Sequence, residues 1–344
     1  MARRLLLLPV FLLALIAGSA SPTLSSPAPF PRAELAVASP VRGTVQLTLV
    51  SADGLSIRRL TTAPGAISSL AWARDGRRIV FVHEFQGSRQ IWLIPRIGAP
   101  AKPLTSRSGD YTSPAWSPDG RRLAFISART GRPQVFLMST DGRSIRQLTR
   151  RGAYRTVSWS PDGRYLAAVG VRKGGGDLHL YVIRPDGTGR RRISSAPLLP
   201  RPGMMHPAWS PDGRWLAYVS RVGLAEQEIT IASVDGPARR RLSTGYAPAW
   251  SPDGRSLAFV VPRVGDAQIY VASADGRRTR RLTRGAGIFL LPAWAPDGRA
   301  IAFLAIRDGD LAVSVIRPDG SGERRLLSTT GDLTGLPLFA WQPR

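Results

Sequence analysis

Short apolar runs, each bounded by polar turns that contain glycine, recur along this chain from about residue 33 onward. The runs are about four to eight residues long, which is the usual length of a β-strand and too short for most helices. Residues 123–126, LAFI, are a clear case, because they are continuous enough to be buried on both faces of a sheet. The pattern therefore predicts a chain of short strands.

The strands belong to a repeated unit of about 44 residues, marked by seven of the nine tryptophans. The units read LAWARDGRRIVF at Trp72, PAWSPDGRRLAF at Trp116, VSWSPDGRYLAAV at Trp159, PAWSPDGRWLAY at Trp209, PAWSPDGRSLAF at Trp250, PAWAPDGRAIAF at Trp294 and FAWQPR at Trp341. Repeats of this length are typical of stacked or circular architectures.

Each unit reads as four strands. The first ends at the tryptophan, and Pro-Asp-Gly turns the chain into the second, with proline fixing φ and glycine accepting a positive φ. A third strand, such as residues 134–138, leads through a second Asp-Gly turn into an Arg-Leu-Thr outer strand, such as residues 281–283. Four strands joined in this way make one propeller blade.

The two ends of the repeat region complement each other. Residues 34–61 match the second, third and fourth strands of a unit, and residues 338–341 supply only a first strand. We therefore predict an all-β fold, a seven-bladed β-propeller of four-stranded antiparallel blades over residues 33–344. One C-terminal strand would join three N-terminal strands and close it.

The motif WSPDGRRLAF, followed by VFLMSTDG and QLT, resembles the repeat of TolB-like propellers, which are WD40-like, and of tricorn-type propellers. This resemblance covers about residues 33 to 344 and implies a β-propeller that is exported. TolB proteins are expected to carry an α/β domain before a six-bladed propeller, whereas here a short linker precedes seven units. The resemblance therefore supports the fold and export more than a TolB-like role at the outer membrane.

The N-terminus has the pattern of a secretory signal peptide over residues 1–20. Arg3 and Arg4 precede an apolar run over residues 5–17 and a small-residue segment. The alternative, an uncleaved anchor, would be short of the roughly 20 residues that span a bilayer. Residues 21–32 read as a Pro/Ser-rich linker. We expect an exported monomer that is periplasmic, extracellular or associated with the cell wall, with no membrane span once the signal is removed.

The formal net charge is +25, and Lys102 and Lys173 are the only lysines. Arginines recur at fixed places in each unit, as in DGRR and RRLT, which predicts a ring of charge more than one basic face. An exported protein rarely meets nucleic acid, so we expect no nucleic-acid partner. Weak contact with anionic envelope polymers is consistent with the charge.

The acidic residues point to turns more than to catalysis. Twelve of the 23 are Asp at shared turn positions, where the side chain is expected to accept backbone hydrogen bonds. They are Asp53, Asp75, Asp119, Asp141, Asp162, Asp186, Asp212, Asp235, Asp253, Asp275, Asp297 and Asp319. The other acids show no spaced pair of the kind that cleaves glycosides.

Other catalytic groups are also missing from the sequence. His83, His179 and His206 stand at different phases of the repeat, there is no Cys, and Gly-x-Ser-x-Gly does not occur. We therefore predict no catalytic residues, no metal site and no cofactor.

The loops before the tryptophan strands are where the units differ most from each other, and variation on a regular scaffold is typical of binding sites. The candidate partner-binding residues are Tyr111, Tyr154, Arg155, Met205, His206, Tyr246 and Phe289. The alternative is that these side chains only pack the rim of the channel.

The leading hypothesis is a non-enzymatic, TolB-like propeller that binds a protein or peptide at one mouth of its channel. A second hypothesis is an envelope propeller that binds or cleaves polysaccharide, which a cluster of Glu84, Asp110, Glu226 and Glu228 would favour. A third is simple adhesion of a positive ring to an anionic polymer.

Overall fold

A computed structural model describes residues 33–41, 44–61, 65–95, 99–106, 108–172, 175–198, 206–222, 226–329 and 338–343. Across these ranges the secondary structure consists of β-strands and turns. No helix there is long and apolar enough to cross a membrane. The predicted signal peptide and linker lie outside the described residues.

Five sheets have four strands each, and all their strand pairs are antiparallel. The first sheet contains the strands β1 (Glu34–Val41), β2 (Thr44–Ser51), β3 (Ile57–Arg59) and β28 (Leu338–Trp341). The second contains β4 (Ala66–Trp72), β5 (Arg78–Phe85), β6 (Ser88–Pro95) and β7 (Lys102–Pro103). The third contains β8 (Tyr111–Trp116), β9 (Arg122–Ser127), β10 (Gln134–Ser139) and β11 (Ile145–Gln147).

The fourth sheet contains β12 (Ala153–Trp159), β13 (Leu166–Val171), β14 (Leu178–Ile183) and β15 (Arg191–Arg192). The fifth contains β16 (Ala208–Trp209), β17 (Trp215–Val222), β18 (Glu226–Ser233) and β19 (Arg239–Thr244). An eight-stranded sheet follows, with β20 (Tyr246–Trp250), β21 (Ser256–Arg263), β22 (Asp266–Ser273), β23 (Thr279–Arg281), β24 (Ile288–Trp294), β25 (Ile301–Arg307), β26 (Asp310–Ile316) and β27 (Arg324–Thr329).

The prediction of an all-β propeller with four-stranded antiparallel blades is confirmed, but seven separate sheets are not observed. The described residues form five four-stranded sheets and one of eight strands. The larger sheet arises because Ala267 of β22 and Ile288 of β24 form a parallel bridge, with the Ala267 amide donating to the Gly287 carbonyl at 3.3 Å. On either side of this bridge the strands repeat the antiparallel pattern.

The strand β28 lies in the sheet of the first three strands. It pairs antiparallel with β1, with Leu35 opposite Trp341 and Ala38 opposite Leu338, and gives the order β28-β1-β2-β3. Beyond the strand, the Gln342 amide nitrogen donates to the Glu34 carbonyl at 2.8 Å. The predicted pairing of C-terminal and N-terminal strands is therefore present in one sheet.

Apolar side chains on facing sheets form the core between them. Val82 and Ile91 of the second sheet, for example, pack in one buried cluster with Phe125 and Phe136 of the third. The strands that make these clusters are the continuous apolar runs of the repeat, because both of their faces are covered.

The repeat tryptophans join successive inner strands through their indole nitrogens. Five of the seven donate to an acceptor in the preceding unit at 2.9 to 3.2 Å: Trp72 to Ala340, Trp116 to Ala71, Trp209 to Ser158, Trp250 to Ala208 and Trp341 to Ala293. The buried indole nitrogens of Trp159 and Trp294 have no acceptor among the described residues.

The turn aspartates behave as the sequence predicts, with one exception. In eleven of the twelve turns, the carboxylate accepts the backbone N–H two residues later at 2.8 to 3.0 Å. The exception is Asp235, because the residue two positions on is Pro237, which has no N–H to donate. Asp235 instead accepts from Tyr165 and Arg164 of the neighbouring sheet.

Candidate functional site

The two sides of the propeller differ in their connections. Because neighbouring strands are antiparallel, both Asp-Gly turns of each unit lie on one side, which we call the turn face. The hairpins between second and third strands, and the connections that enter each inner strand, lie on the other side, which we call the crossover face. The candidate partner-binding residues were selected on the crossover face.

Three of these candidates are not at the surface. Tyr111 and Tyr154 are 1% exposed and Phe289 is fully buried. All three stand five residues before the repeat tryptophan, a position where the second sheet has the buried Ile67. The structure therefore places these three side chains in the interior of the blades instead of on an accessible rim.

Contacts within the core explain this burial. The Tyr111 ring lies 5.7 Å from that of Phe125, and the Phe289 ring lies 5.9 Å from that of Phe303. The Tyr154 hydroxyl accepts a hydrogen bond from Arg190 at 3.0 Å, while burial raises the pKa of this tyrosine. A side chain held in this way cannot meet a partner unless the blade opens.

The next position along the inner strand is more accessible. Arg155 is exposed, and the side chains at the same place in other units, Thr112, Tyr246 and Leu290, are half-buried. Burial raises the pKa of Tyr246. His206 is also exposed, whereas Met205 lies outside the described residues. Arg155 and Tyr246 are therefore the candidates that a partner can reach, whereas the surrounding chain desolvates His206 enough to lower its pKa.

A β-bulge separates the buried position from the accessible one. The register shifts between Tyr154 and Thr156 in β12, and the inner strands β4, β8, β20 and β24 have similar shifts. Ser113, Ala247 and Leu291, each followed by proline, have φ of 53°, 51° and 54°. Left-handed backbone at such residues is costly and concentrates at functional sites. The bulges therefore place strained residues in the inner strands at the crossover face, which makes this surface the candidate binding site.

Of the acids that a polysaccharide-cleaving site would need, Glu84 and Asp110 both lie beside Arg89, whereas Glu228 lies on another sheet. Asp110 forms a two-point ion pair with Arg89, at 2.5 and 2.7 Å. Glu228, in the fifth sheet, is paired with Arg241 at 3.2 Å. The side chain of Glu226 is outside the described part of the chain. No group of three His, Asp or Glu residues in the described ranges is placed to hold a metal ion.

His179 occupies a position in the repeat where other units have a glutamine. In β10 and β22 the equivalent residues are Gln134 and Gln268, which accept hydrogen bonds from a buried threonine of the outer strand segment. His179 meets Ser194 in the same way, with Nδ1 and Oγ 3.2 Å apart. The contact between His179 and Ser194 is therefore a variant of the Gln–Thr pair of other units, which gives His179 a structural role.

The turn face has its own cavities between neighbouring units. One, of about 460 Å³, is lined by residues that include Arg74, Asp119, Arg122 and Asp162. A second, of about 230 Å³, lies between Pro211, Asp212 and the next unit's Trp250 and Asp253. Their acids already accept backbone N–H groups within the turns, so their first role is structural.

Arginines at the crossover face were the feature that sequence reasoning missed. Arg150 and Arg151 come directly before β12, and both are exposed. The predicted even ring of positive charge was based on the arginines of the turns and outer strands. The sequence signal for this group was the adjacent pair Arg150 and Arg151, because no other unit in the described residues has two arginines just before its inner strand.

Comparisons with known proteins agree with the architecture. The sequence profile of the TolB beta propeller domain matches residues 86–204 and 178–338. No curated protein sequence is detectably similar to this chain.

Several solved structures share the fold. TolB from Acinetobacter baumannii is 17% identical, with a TM-score of 0.57, over 90% of this chain and 83% of that protein. An oligogalacturonate lyase from Vibrio parahaemolyticus is 13% identical, with a TM-score of 0.67, over 82% and 85%. A puromycin-hydrolyzing peptidase from Mycobacterium tuberculosis is 16% identical, with a TM-score of 0.68, over 88% and 54%. At these identities the likeness shows the fold alone.

Proposed function

We propose that this chain, which belongs to the TolB beta propeller domain family, is a non-enzymatic propeller that binds a protein or peptide partner at the crossover face. The observation that carries this proposal is that the scaffold contacts repeat from unit to unit, whereas the accessible residue of the inner strand varies. The blades repeat the same turn and tryptophan contacts, while the accessible position of the inner strand holds Thr112, Arg155, Tyr246 or Leu290. Aromatic and arginine side chains are those that dominate binding hot spots.

The proposal includes a ring of seven blades. The pairing of β28 with β1 and the hydrogen bond from Trp341 to Ala293 support closure between the ends of the chain. The repeated antiparallel order on each side of the Ala267–Ile288 bridge supports two blades within the eight-stranded sheet. A closed ring gives the partner one rigid mouth to bind.

Export is part of the same proposal. We propose that residues 1–20 direct the chain out of the cytoplasm and that residues 21–32 link the signal to the propeller over residues 33–344. The basic, apolar and small-residue segments of the N-terminus support this. The mature protein would then act as a monomer in the periplasm or at the cell wall.

Polysaccharide binding or cleavage remains the second candidate, because oligogalacturonate lyases share the fold. The ion pairs of Asp110 with Arg89 and of Glu228 with Arg241 favour the first candidate, since each carboxylate already has a partner within the chain. Release of reducing sugar from oligogalacturonate by the purified chain would move the second candidate ahead.

The test of partner binding uses the full chain, a variant with Arg155→Ala and Tyr246→Ala, and a control variant with Arg255→Ala on the turn face. Proteins captured from an envelope extract are identified, purified and titrated against all three forms. We expect one partner that binds the wild type and the control equally and the double variant at least about tenfold more weakly. If no purified protein binds the wild type, the proposal is wrong.

A further inference from the structure

Six exposed arginines lie on the crossover face where the third and fourth sheets meet. Two are on the hairpin between β9 and β10, three are on or just before β12, and one follows β13. They are Arg129, Arg132, Arg150, Arg151, Arg155 and Arg172. We call this set the arginine patch.

Backbone contacts bring the segments of the patch together. The Tyr154 amide donates to the Pro133 carbonyl at 2.9 Å, and the Gln134 side-chain amide donates to the Gly152 carbonyl at 2.9 Å. Ala153 pairs with Val171, the residue before Arg172. The residues in these contacts are each one or two positions from Arg132, Arg151, Arg155 or Arg172. The cationic groups therefore share one surface instead of being spread around the ring.

None of the six arginines forms an ion pair with an acid in the described part of the chain. The neighbouring junction differs, because there Asp110 holds Arg89 at two points. Asp110 stands six residues before Trp116, and the residue six before Trp159 is Ala153. The carboxylate that compensates an arginine at one junction is thus replaced by a methyl group at the next. Mutual repulsion in such a cluster is relieved when an anion binds.

We propose that the arginine patch binds an acidic segment of a peptide or protein chain, so that the partner's carboxylates take the place that Asp110 has at the other junction. This inference rests on the proposed function and names the chemistry of its partner. The guanidinium fork matches carboxylates at two points. Arg155 also shares its position on the inner strands with Tyr246 and Leu290, so the adjoining mouth combines cationic and apolar side chains. That mixture fits a peptide better than a uniformly charged polymer.

The test measures binding of fluorescein-labelled decaglutamate to the full chain at constant salt. The patch variant carries Arg151→Gln, Arg155→Gln and Arg172→Gln. A control variant carries Arg121→Gln, Arg214→Gln and Arg255→Gln, which are exposed turn-face arginines whose backbone N–H groups bind the turn aspartates. Both variants lose the same net charge, so the comparison separates a local site from general attraction. Thermal unfolding checks that both variants are folded.

We expect the dissociation constant for decaglutamate to rise about tenfold or more in the patch variant and less than about twofold in the control. Equal loss in the two variants overturns the inference, as does tighter, patch-dependent binding of inorganic polyphosphate of equal charge. If the purified partner of the proposed function binds the patch variant as well as the wild type, the proposed function stands and the patch inference is wrong. If no purified protein binds the wild type while decaglutamate needs the patch, the proposed function fails and the carboxylate site stands.

Discussion

The indole nitrogen of Trp72 donates a hydrogen bond to the backbone carbonyl of Ala340 at 3.0 Å, although 268 positions of sequence separate the two residues. The bond joins β4 to β28, and Trp341 in turn donates to Ala293 of β24. A short strand far from its neighbours in sequence is therefore fixed on both sides. Its tryptophan should be among the most sensitive positions in the protein.

We expect Trp341→Ala to lower the free energy of unfolding by about 3–5 kcal/mol, because the side chain is 8% exposed and its removal leaves a cavity and an unpaired carbonyl. Urea unfolding followed by fluorescence measures this. Trp92→Ala is the control, since Trp92 is only half-buried and its loss should cost less. Equal losses in the two variants would show that the contacts of β28 contribute no special stability.

The serine in the Ser-Pro-Asp-Gly turn gives a second prediction. Ser117 is buried, donates to the Asp119 carboxylate at 2.5 Å and accepts the Arg122 amide at 2.9 Å. We expect Ser117→Ala to cost about 1–2 kcal/mol at neutral pH. Ala295→Ser is the reverse experiment, because Ala295 occupies the same turn position, and it should add up to about 1 kcal/mol. A loss of stability on adding the serine would contradict this account.

Acid should remove the contribution of the same turns. The Ser117 hydroxyl and the Arg121 amide lower the pKa of Asp119 in the folded chain, and equivalent bonds lower the pKa of Asp253 and Asp275. A lowered folded pKa stabilises the protein above the ordinary Asp pKa of about 3.9, and the gain is lost as pH falls through the folded value. The gap between wild type and Ser117→Ala should therefore narrow as the pH falls below about 3.9. Unfolding curves at pH 6 and pH 2.5 test this, and a gap that stays constant would show that the carboxylate is not involved.

Adjacent residues of β12 should behave in opposite ways. Tyr154→Ala should lower the free energy of unfolding by about 3–5 kcal/mol, because the ring is buried against Tyr181. Arg155→Ala, at the exposed neighbour, should change it by less than about 0.5 kcal/mol. Calorimetry of the two single variants measures the difference. Similar costs for both would mean that Arg155, like Tyr154, belongs to the core.

The left-handed residues of the inner strands give a fifth prediction. Ala247 has φ of 51°, so Ala247→Gly should relieve backbone strain and cost nothing or add up to about 1 kcal/mol. Ala249 lies in the same strand with an ordinary backbone, so Ala249→Gly should cost about 1 kcal/mol. Thermal melting distinguishes the two, and equal destabilisation would rule out strain at Ala247.

The sequence was most informative where one residue type decides a local structure. Aspartate before glycine predicted the turn hydrogen bonds, and the one failure, at Asp235, follows from Pro237 two residues later. The tryptophan register likewise predicted which strands are inner strands. Contacts that depend on a single backbone bridge, such as Ala267 with Ile288, leave no such mark in the sequence.

The candidate site was harder to predict because the bulges interrupt the alternation of side chains. Strict alternation assigns each residue of a strand to one face, but an extra residue between Tyr154 and Thr156 changes which side chain lies on the accessible face. The apolar residue Ile67 aligns with Tyr111 and Tyr154, which was a sequence signal that these aromatics lie inside. The structure shows Ile67 buried as well. The arginine patch needed the fold, because its residues come from three separate segments.

The order β28-β1-β2-β3 has a kinetic consequence. The first sheet cannot acquire its inner strand until residues near the C-terminus are available. One edge of β1 therefore stays unpaired while about 300 further residues are synthesised. Pairing over so long a separation is slow, and an open edge attracts other strands. We therefore expect the final step of folding to be late and concentration-sensitive, with self-association competing against the docking of one four-residue strand.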